Sequence, residues 1–209
     1  TDAQLKASIQ LAHIKENRSK NKAETQLNTE PPKIYVATDP AALILIDGEP
    51  KLKDIPDTNL SRVMNTAFVL VYDKEGKDYY LRAGDEWMTS AEVLGPWQVA
   101  ENVPQDVLDL QKKKPTDSNP VEISEVIVST VPAALLQIDG DPEFAPITGT
   151  DLMYVKNTKD DIFQQIDPQE YYTLLSGRWY KTTDELNSDA TWTYVAAEDL
   201  PADFAKIPD

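Results

Sequence analysis

One stretch is written twice. Thr38-Asp-Pro-Ala-Ala-Leu-Ile-Leu-Ile-Asp-Gly-Glu-Pro50 returns as Thr130-Val-Pro-Ala-Ala-Leu-Leu-Gln-Ile-Asp-Gly-Asp-Pro142, displaced by 92 positions. The same displacement carries Ile55 onto Ile147, Thr58 onto Thr150, Leu60 onto Leu152, Val63 onto Val155 and Asn65-Thr66 onto Asn157-Thr158. It then carries Tyr79-Tyr80 onto Tyr171-Tyr172 and Trp87 onto Trp179; short insertions later bring Trp97 onto Trp192 and Pro104 onto Pro201. A tandem duplication follows, and whatever one copy folds into the other must be able to fold into as well. Each copy has about 75–80 residues, near the lower limit for a self-sufficient core, so the copies are expected to lean on one another.

The residues within a copy read as short strands. Ile34-Tyr-Val36 opens the first, and Ala42-Leu-Ile-Leu-Ile46 follows. Asp47-Gly48 and Asp139-Gly140 are the preferred pair for a two-residue turn, so each predicts a hairpin returning antiparallel through residues 49–55 and 141–147. Residues 60–65, 68–72 and 78–83 continue the pattern, with a second tight turn at Gly84-Asp85 and at Ser176-Gly177. Ahead of the copies, Leu5, Ile9 and Ala12 beside Ala7, Leu11 and Ile14 form an apolar stripe at helical spacing, ended by Pro31-Pro32. The expected fold is mostly β (α+β overall): an N-terminal helical segment over 1–32, β repeat 1 over 33–104, a linker with a short helix over 105–121, and β repeat 2 over 122–209. The helical opening reads as a piece of a longer protein.

Charge narrows the partners. The net charge is −16, with six Lys or Arg against four Asp or Glu in residues 1–33 and fourteen against thirty-two in the rest. Such a surface repels phosphate backbones and anionic lipid, so nucleic acid is not expected as a partner. No apolar run reaches the roughly 20 residues of a membrane span. Cysteine is absent and histidine occurs once, at His13, which removes disulfides, thiolate nucleophiles, histidine triads and three-histidine metal sites. No phosphate-cradling glycine loop occurs. The acidic clusters Asn157-Thr-Lys-Asp-Asp161 and Asp139-Gly-Asp141 lack calcium-loop spacing and read as turns. No cofactor, no metal and no catalytic residue is expected, and the chain reads as a non-enzyme.

The aromatic hairpin is where ligand chemistry could sit. A two-residue loop at Ser176-Gly177 pairs Leu174 with Trp179, Thr173 with Tyr180 and Tyr172 with Lys181, so Tyr172 and Trp179 share one face and Tyr171 and Tyr180 the other. In the first copy Tyr80, Arg82 and Trp87 share a face opposite Tyr79, Leu81 and Met88. An open Tyr–Trp surface beside a cation can stack on a sugar ring; equally, the same rings can fill a core, since each buries about 150–250 Å². The run of Ile-Asp-Gly-Asp/Glu-Pro, Thr-Asn/Asp-Leu, Asn-Thr, Tyr-Tyr, Gly-Arg-Trp-Tyr, a late Trp and Leu-Pro-Ala-Asp-Phe resembles bacterial envelope or secreted repeat proteins labelled carbohydrate-binding family V/XII. That resemblance covers residues 30–209. It implies a periplasmic or extracellular location, polysaccharide or another envelope protein as partner, and weak carbohydrate binding by Trp87, Trp97, Tyr80, Arg82, Trp179, Tyr172, Tyr180 and Trp192. The first copy departs from the motif at Asp85-Glu-Trp-Met88 and the second at Ala190-Thr-Trp192. The alternative is a structural or protein-interaction repeat whose aromatics are internal.

Overall fold

The computed structural model describes residues 30–84, 86–110 and 123–207; the helix expected over 1–32 falls almost wholly outside them, as does most of the linker. The described chain is mostly β. Strands β1 (Lys33–Ala37) and β2 (Ala41–Leu45) lead into β3 (Leu52–Asp54), β4 (Leu60–Val63), β5 (Leu70–Asp73), β6 (Asp78–Ala83), β7 (Glu86–Ser90) and β8 (Gln98–Val99). A short helix α1 (Gln105–Asp109) closes this half. The second half runs β9 (Glu125–Ser129), β10 (Ala133–Gln137), β11 (Phe144–Pro146), β12 (Leu152–Val155), β13 (Ile162–Gln165), β14 (Glu170–Leu175), β15 (Arg178–Thr182) and β16 (Thr193–Val195). It ends in two 3-10 turns, Ala197–Asp199 and Ala202–Lys206.

Strands β3 to β8 form one antiparallel six-stranded meander and β11 to β16 another, each in sequence order. The expected register at Ser176-Gly177 is the one observed, with Leu174 opposite Trp179 and Thr173 opposite Tyr180. Leu81 lies opposite Met88 and Arg82 opposite Trp87 in the first meander.

The four leading strands depart from expectation. The Asp-Gly segments do not turn hairpins: β2 does not pair with β3, nor β10 with β11. Instead β1 pairs in parallel with β10, Lys33 opposite Ala133, and β2 pairs in parallel with β9, Ala41 opposite Glu125. Each half thus gives its first strand to the other. The reason lies in the joints. Only Thr38-Asp-Pro40 separates β1 from β2, and only Thr130-Val-Pro132 separates β9 from β10. Parallel neighbours need a crossover of about a dozen residues, so neither half can supply its own parallel partner. The flanking bonds are reciprocal: Lys33 N–H donates to the Pro132 carbonyl and Glu125 N–H to that of Pro40, at 2.9 and 3.2 Å. Ile138 N–H donates to Ala37 and Ile46 N–H to Ser129, both at 2.9 Å.

β3 pairs forward with β4 and not back with β2, and Asp47-Gly48 is left as a bend that side chains latch. Asn65 Nδ2 donates to the carbonyls of Asp47 and Glu49 at 2.7 and 2.9 Å, while its Oδ1 accepts from Lys51 N–H at 2.8 Å. Asn157 repeats all three bonds with Asp139, Asp141 and Glu143. Thr66 and Thr158 hydroxyls donate to the carbonyls of Leu45 and Gln137 at 2.7 and 2.6 Å. Thr58 and Thr150 tie the turn between the next strands in the same way, through the Ile55 and Ile147 carbonyls. Many of the recurring polar residues, Asn65/Asn157, Thr66/Thr158 and Thr58/Thr150, are therefore turn latches.

Each meander is covered on both faces. The β2–β9 pair lies on the inner face of the first, where Ile44, Ile46 and the exchanged Val128 meet Val63, Leu70, Leu81 and Met88. The β1–β10 pair lies on the second, where the exchanged Ile34 and Val36 join Leu136 and Ile138 against Val155, Ile162, Tyr180 and Trp192. Neither inner core is complete without residues from the other half.

Candidate functional site

The eight candidate aromatic and cationic residues divide between two faces of each meander. Alternation along β6 and β7 sends Tyr80 and Trp87 outward and Leu81 and Met88 inward. The outward set does not meet solvent. Tyr80 and Trp87 pack with Leu60, Val71 and the fully buried Val107, which α1 lays across the sheet. Pro104 places that helix, since a proline with no N–H to satisfy starts a short helical turn at no cost in hydrogen bonds. The guanidinium of Arg82 sits 5.9 Å from the Trp87 ring centre, so the cation expected to flank a ligand lies against the ring itself.

The second meander repeats this with an aromatic in the covering position. After Pro201, the 3-10 turn Ala202–Lys206 sets Phe204 edge-on against three rings: Phe163 at 5.7 Å, Tyr172 at 4.9 Å and Trp179 at 5.1 Å between centres. Asp203 pins the turn by accepting from Asp151 N–H at 2.6 Å and from Lys206 Nζ at 2.6 Å. Those bonds, Lys206 first, hold the Asp203 carboxyl below its ordinary range.

Trp97 and Trp192 lie on the opposite, inner faces. Trp192 is buried in the core that holds Ile34 and Val36, beside Tyr180, and Trp97 is half-buried against the core that holds Met88. Trp97 therefore does not cover Trp87; the sheet separates them. Of the two readings of these rings, five of the eight residues take the interior one: Tyr80, Trp87, Tyr172, Tyr180 and Trp192 retain 7, 6, 2, 3 and 4% exposure. Trp97, Trp179 and Arg82 are half-buried, and they come from different faces or different halves. No single surface gathers the set. Among the described residues the indole N–H groups of Trp87, Trp97 and Trp192 have no hydrogen-bond partner, a cost that the buried area of the rings must offset.

Beside the outer rings of the second meander, Glu170, Tyr172 and Lys181 form a polar constellation. The Tyr172 hydroxyl donates to Glu170 at 2.6 Å and Lys181 Nζ donates to the same carboxylate at 2.8 Å. Lys181 first, then Tyr172, holds the Glu170 carboxyl below its ordinary value, while burial, followed by the hydrogen bond to Glu170, pushes the Tyr172 hydroxyl well up. A carboxylate satisfied by both neighbours is a poor base, so this triad closes the rim of the sheet.

The acidic cluster at 157–161 is explained by turns as well: Asp160 accepts from the Gln137 N–H at 2.7 Å and its own N–H donates to the Thr158 hydroxyl. Among the described residues no three His, Cys, Asp or Glu side chains converge to hold a metal ion. No described helix is long and apolar enough to cross a membrane. Two open clefts adjoin each other around the Lys156–Asp160 turn. One, of about 580 Å³, lies between the β1–β2 joint and the Asn157-Asp160 turn; the other, of about 600 Å³, runs from Pro146 to Ile207. Sequence reasoning singled out neither. The contribution it missed altogether is that of Val107 and Phe204, whose only signal was the shared Pro-x-Asp-apolar spacing at 104–107 and 201–204. No family model, no curated protein and no solved structure matches the chain, so the family resemblance rests on the motif residues alone.

Proposed function

We propose that the chain is a non-catalytic scaffold or interaction module of a larger bacterial envelope or secreted protein, in which two copies of one β unit are locked together and the tryptophans serve the interior. The observation that carries this reading is the covering of both outer faces. Val107 seals Tyr80 and Trp87, and Phe204 sits on Tyr172 and Trp179. A sugar-stacking platform needs a ring face open to a ligand, and here the chain's own terminal turns occupy that position. The residues shared between the halves are latches and core, which suits a unit selected to hold a shape. Partners would then be met through loops, sheet edges and the acidic surface, with another envelope protein favoured over polysaccharide.

The test is tryptophan accessibility combined with retention. Acrylamide should quench the fluorescence weakly, and the protein should pass unretained over chitin, cellulose and peptidoglycan. Strong quenching with retention on any of these, lost on Trp179→Ala, would restore carbohydrate binding.

A further inference from the structure

The two parallel seams are one pairing made twice. Lys33 faces Ala133, which lies 92 positions beyond Ala41; Ala41 faces Glu125, which lies 92 beyond Lys33. The whole register follows, through Ala37 opposite Gln137 and Leu45 opposite Ser129. The acceptor for a leading strand is thus the second strand of a unit, and each half carries both a donor and an acceptor of the same kind. The donors also carry like side chains inward. Ile34 and Val36 enter the second core where Val126 and Val128 meet the first. Most bonds across the seam are main-chain and do not distinguish the halves; Ser188, from the loop before β16, adds hydroxyl bonds to the backbone N–H and carbonyl of Val36, and the first half has no serine in its corresponding loop over 91–96.

We propose that each half is a self-complementary strand-exchange unit whose interaction partner is any second copy of itself, so that the seam which closes this chain can equally join the same half of two chains. This rests on the scaffold reading and deepens it by naming the partner, and it is independent of what the tryptophans do. The argument is the joint. Because three residues cannot carry β1 around to lie parallel to β2, a unit standing alone keeps an unpaired donor and an uncovered core, and both are satisfied by a twofold-related copy. Strand addition of this type takes its affinity from main-chain bonds and its selectivity from alternate side chains.

Besides Ser188, Gln137 is the side chain that tells the halves apart. It accepts from Ala41 N–H at 3.0 Å and donates to the carbonyls of Ala37 and Asp39 at 3.2 and 2.8 Å. The corresponding residue of the first half is Leu45, which can do neither. A pair of second halves would hold this arrangement twice, a mixed pair once, and a pair of first halves not at all.

The experiment uses the full chain with a specific protease site inserted between Asp117 and Ser118. After cleavage the halves should stay together on gel filtration, because each core contains the other's strand. The cut protein is then unfolded, refolded and weighed by native mass spectrometry. The proposal expects all three pairs, first–first, mixed and second–second, with the first–first pair scarcest. Gln137→Leu should narrow the difference between the two like pairs. Where refolding from denaturant aggregates, mixing isotopically labelled and unlabelled cut protein at a temperature below its transition reads the same exchange. Recovery of like pairs by either route supports the proposal; mixed pairs alone, or halves that separate as monomers, overturn it. Neither result moves the quenching and retention assay above.

Discussion

Removing the ring that covers the second outer face is the sharpest perturbation of the interior reading. Phe204 is half-buried and stands edge-on to Phe163, Tyr172 and Trp179, with all three centres within 5.7 Å. Burying half of a Phe side chain is worth about 1–1.5 kcal/mol, and each edge-on aromatic pair adds on the order of 0.5–1 kcal/mol. Phe204→Ala should therefore cost about 2.5–4.5 kcal/mol, overlapping the range for truncating a fully buried Phe. Because the two cores share strands, the loss should be felt by one cooperative transition. At about 2–4 °C per kcal/mol for a domain of this size, the melting temperature should fall by about 5–18 °C. The same change bares one side of Trp179, so acrylamide quenching should rise while the far-ultraviolet circular dichroism is unchanged. Calorimetry and quenching on the same sample check both. An unchanged melting temperature together with unchanged quenching would refute the idea that Phe204 seals this face.

Three further outcomes follow. Trp87→Ala, which empties the space between Tyr80, Leu60 and Val107, should cost about 3–5 kcal/mol in a urea titration. Asn157→Ala removes three bonds across the Asp139-Gly140 bend and should cost about 1–3 kcal/mol, with Asn65→Ala close to it. Glu170 is held below its ordinary value of about 4.5 by Lys181 and Tyr172, so its contribution is present above that value and is lost as pH falls through the lower folded one. Denaturation midpoints measured between pH 5 and pH 3 should show this fall, and Lys181→Met should flatten it.

Much of the local structure was legible in the residues because it is set by alternation and turn chemistry. Ser176-Gly177 fixed the register of β14 and β15, and the faces of Trp87, Tyr80, Leu81 and Met88 followed from the two-residue period. The Asp-Gly bends were misread because the pair signals a hairpin only when its flanking strands choose each other; here β2 and β10 find their partners in β9 and β1, while β3 and β11 pair forward with β4 and β12. That competition depends on residues about 90 positions away, which no local pattern reports. The three-residue joints at 38–40 and 130–132 did contain the clue, since they forbid parallel pairing within a half. The burial of the outer rings was hidden for a similar reason. Val107 and Phe204 carry no local mark of covering a sheet face, and an amphipathic face looks open until the segment that crosses it is known.

The reciprocal exchange of leading strands is what the whole account stands on, and interstrand nuclear Overhauser contacts in the intact labelled protein test it most directly. The account predicts backbone contacts between Tyr35 and Leu135 and between Leu43 and Ile127, in parallel register, with the two sets appearing and melting together. Contacts instead joining residues 42–46 to 49–55 across Asp47-Gly48, as an antiparallel hairpin inside one half, would contradict it.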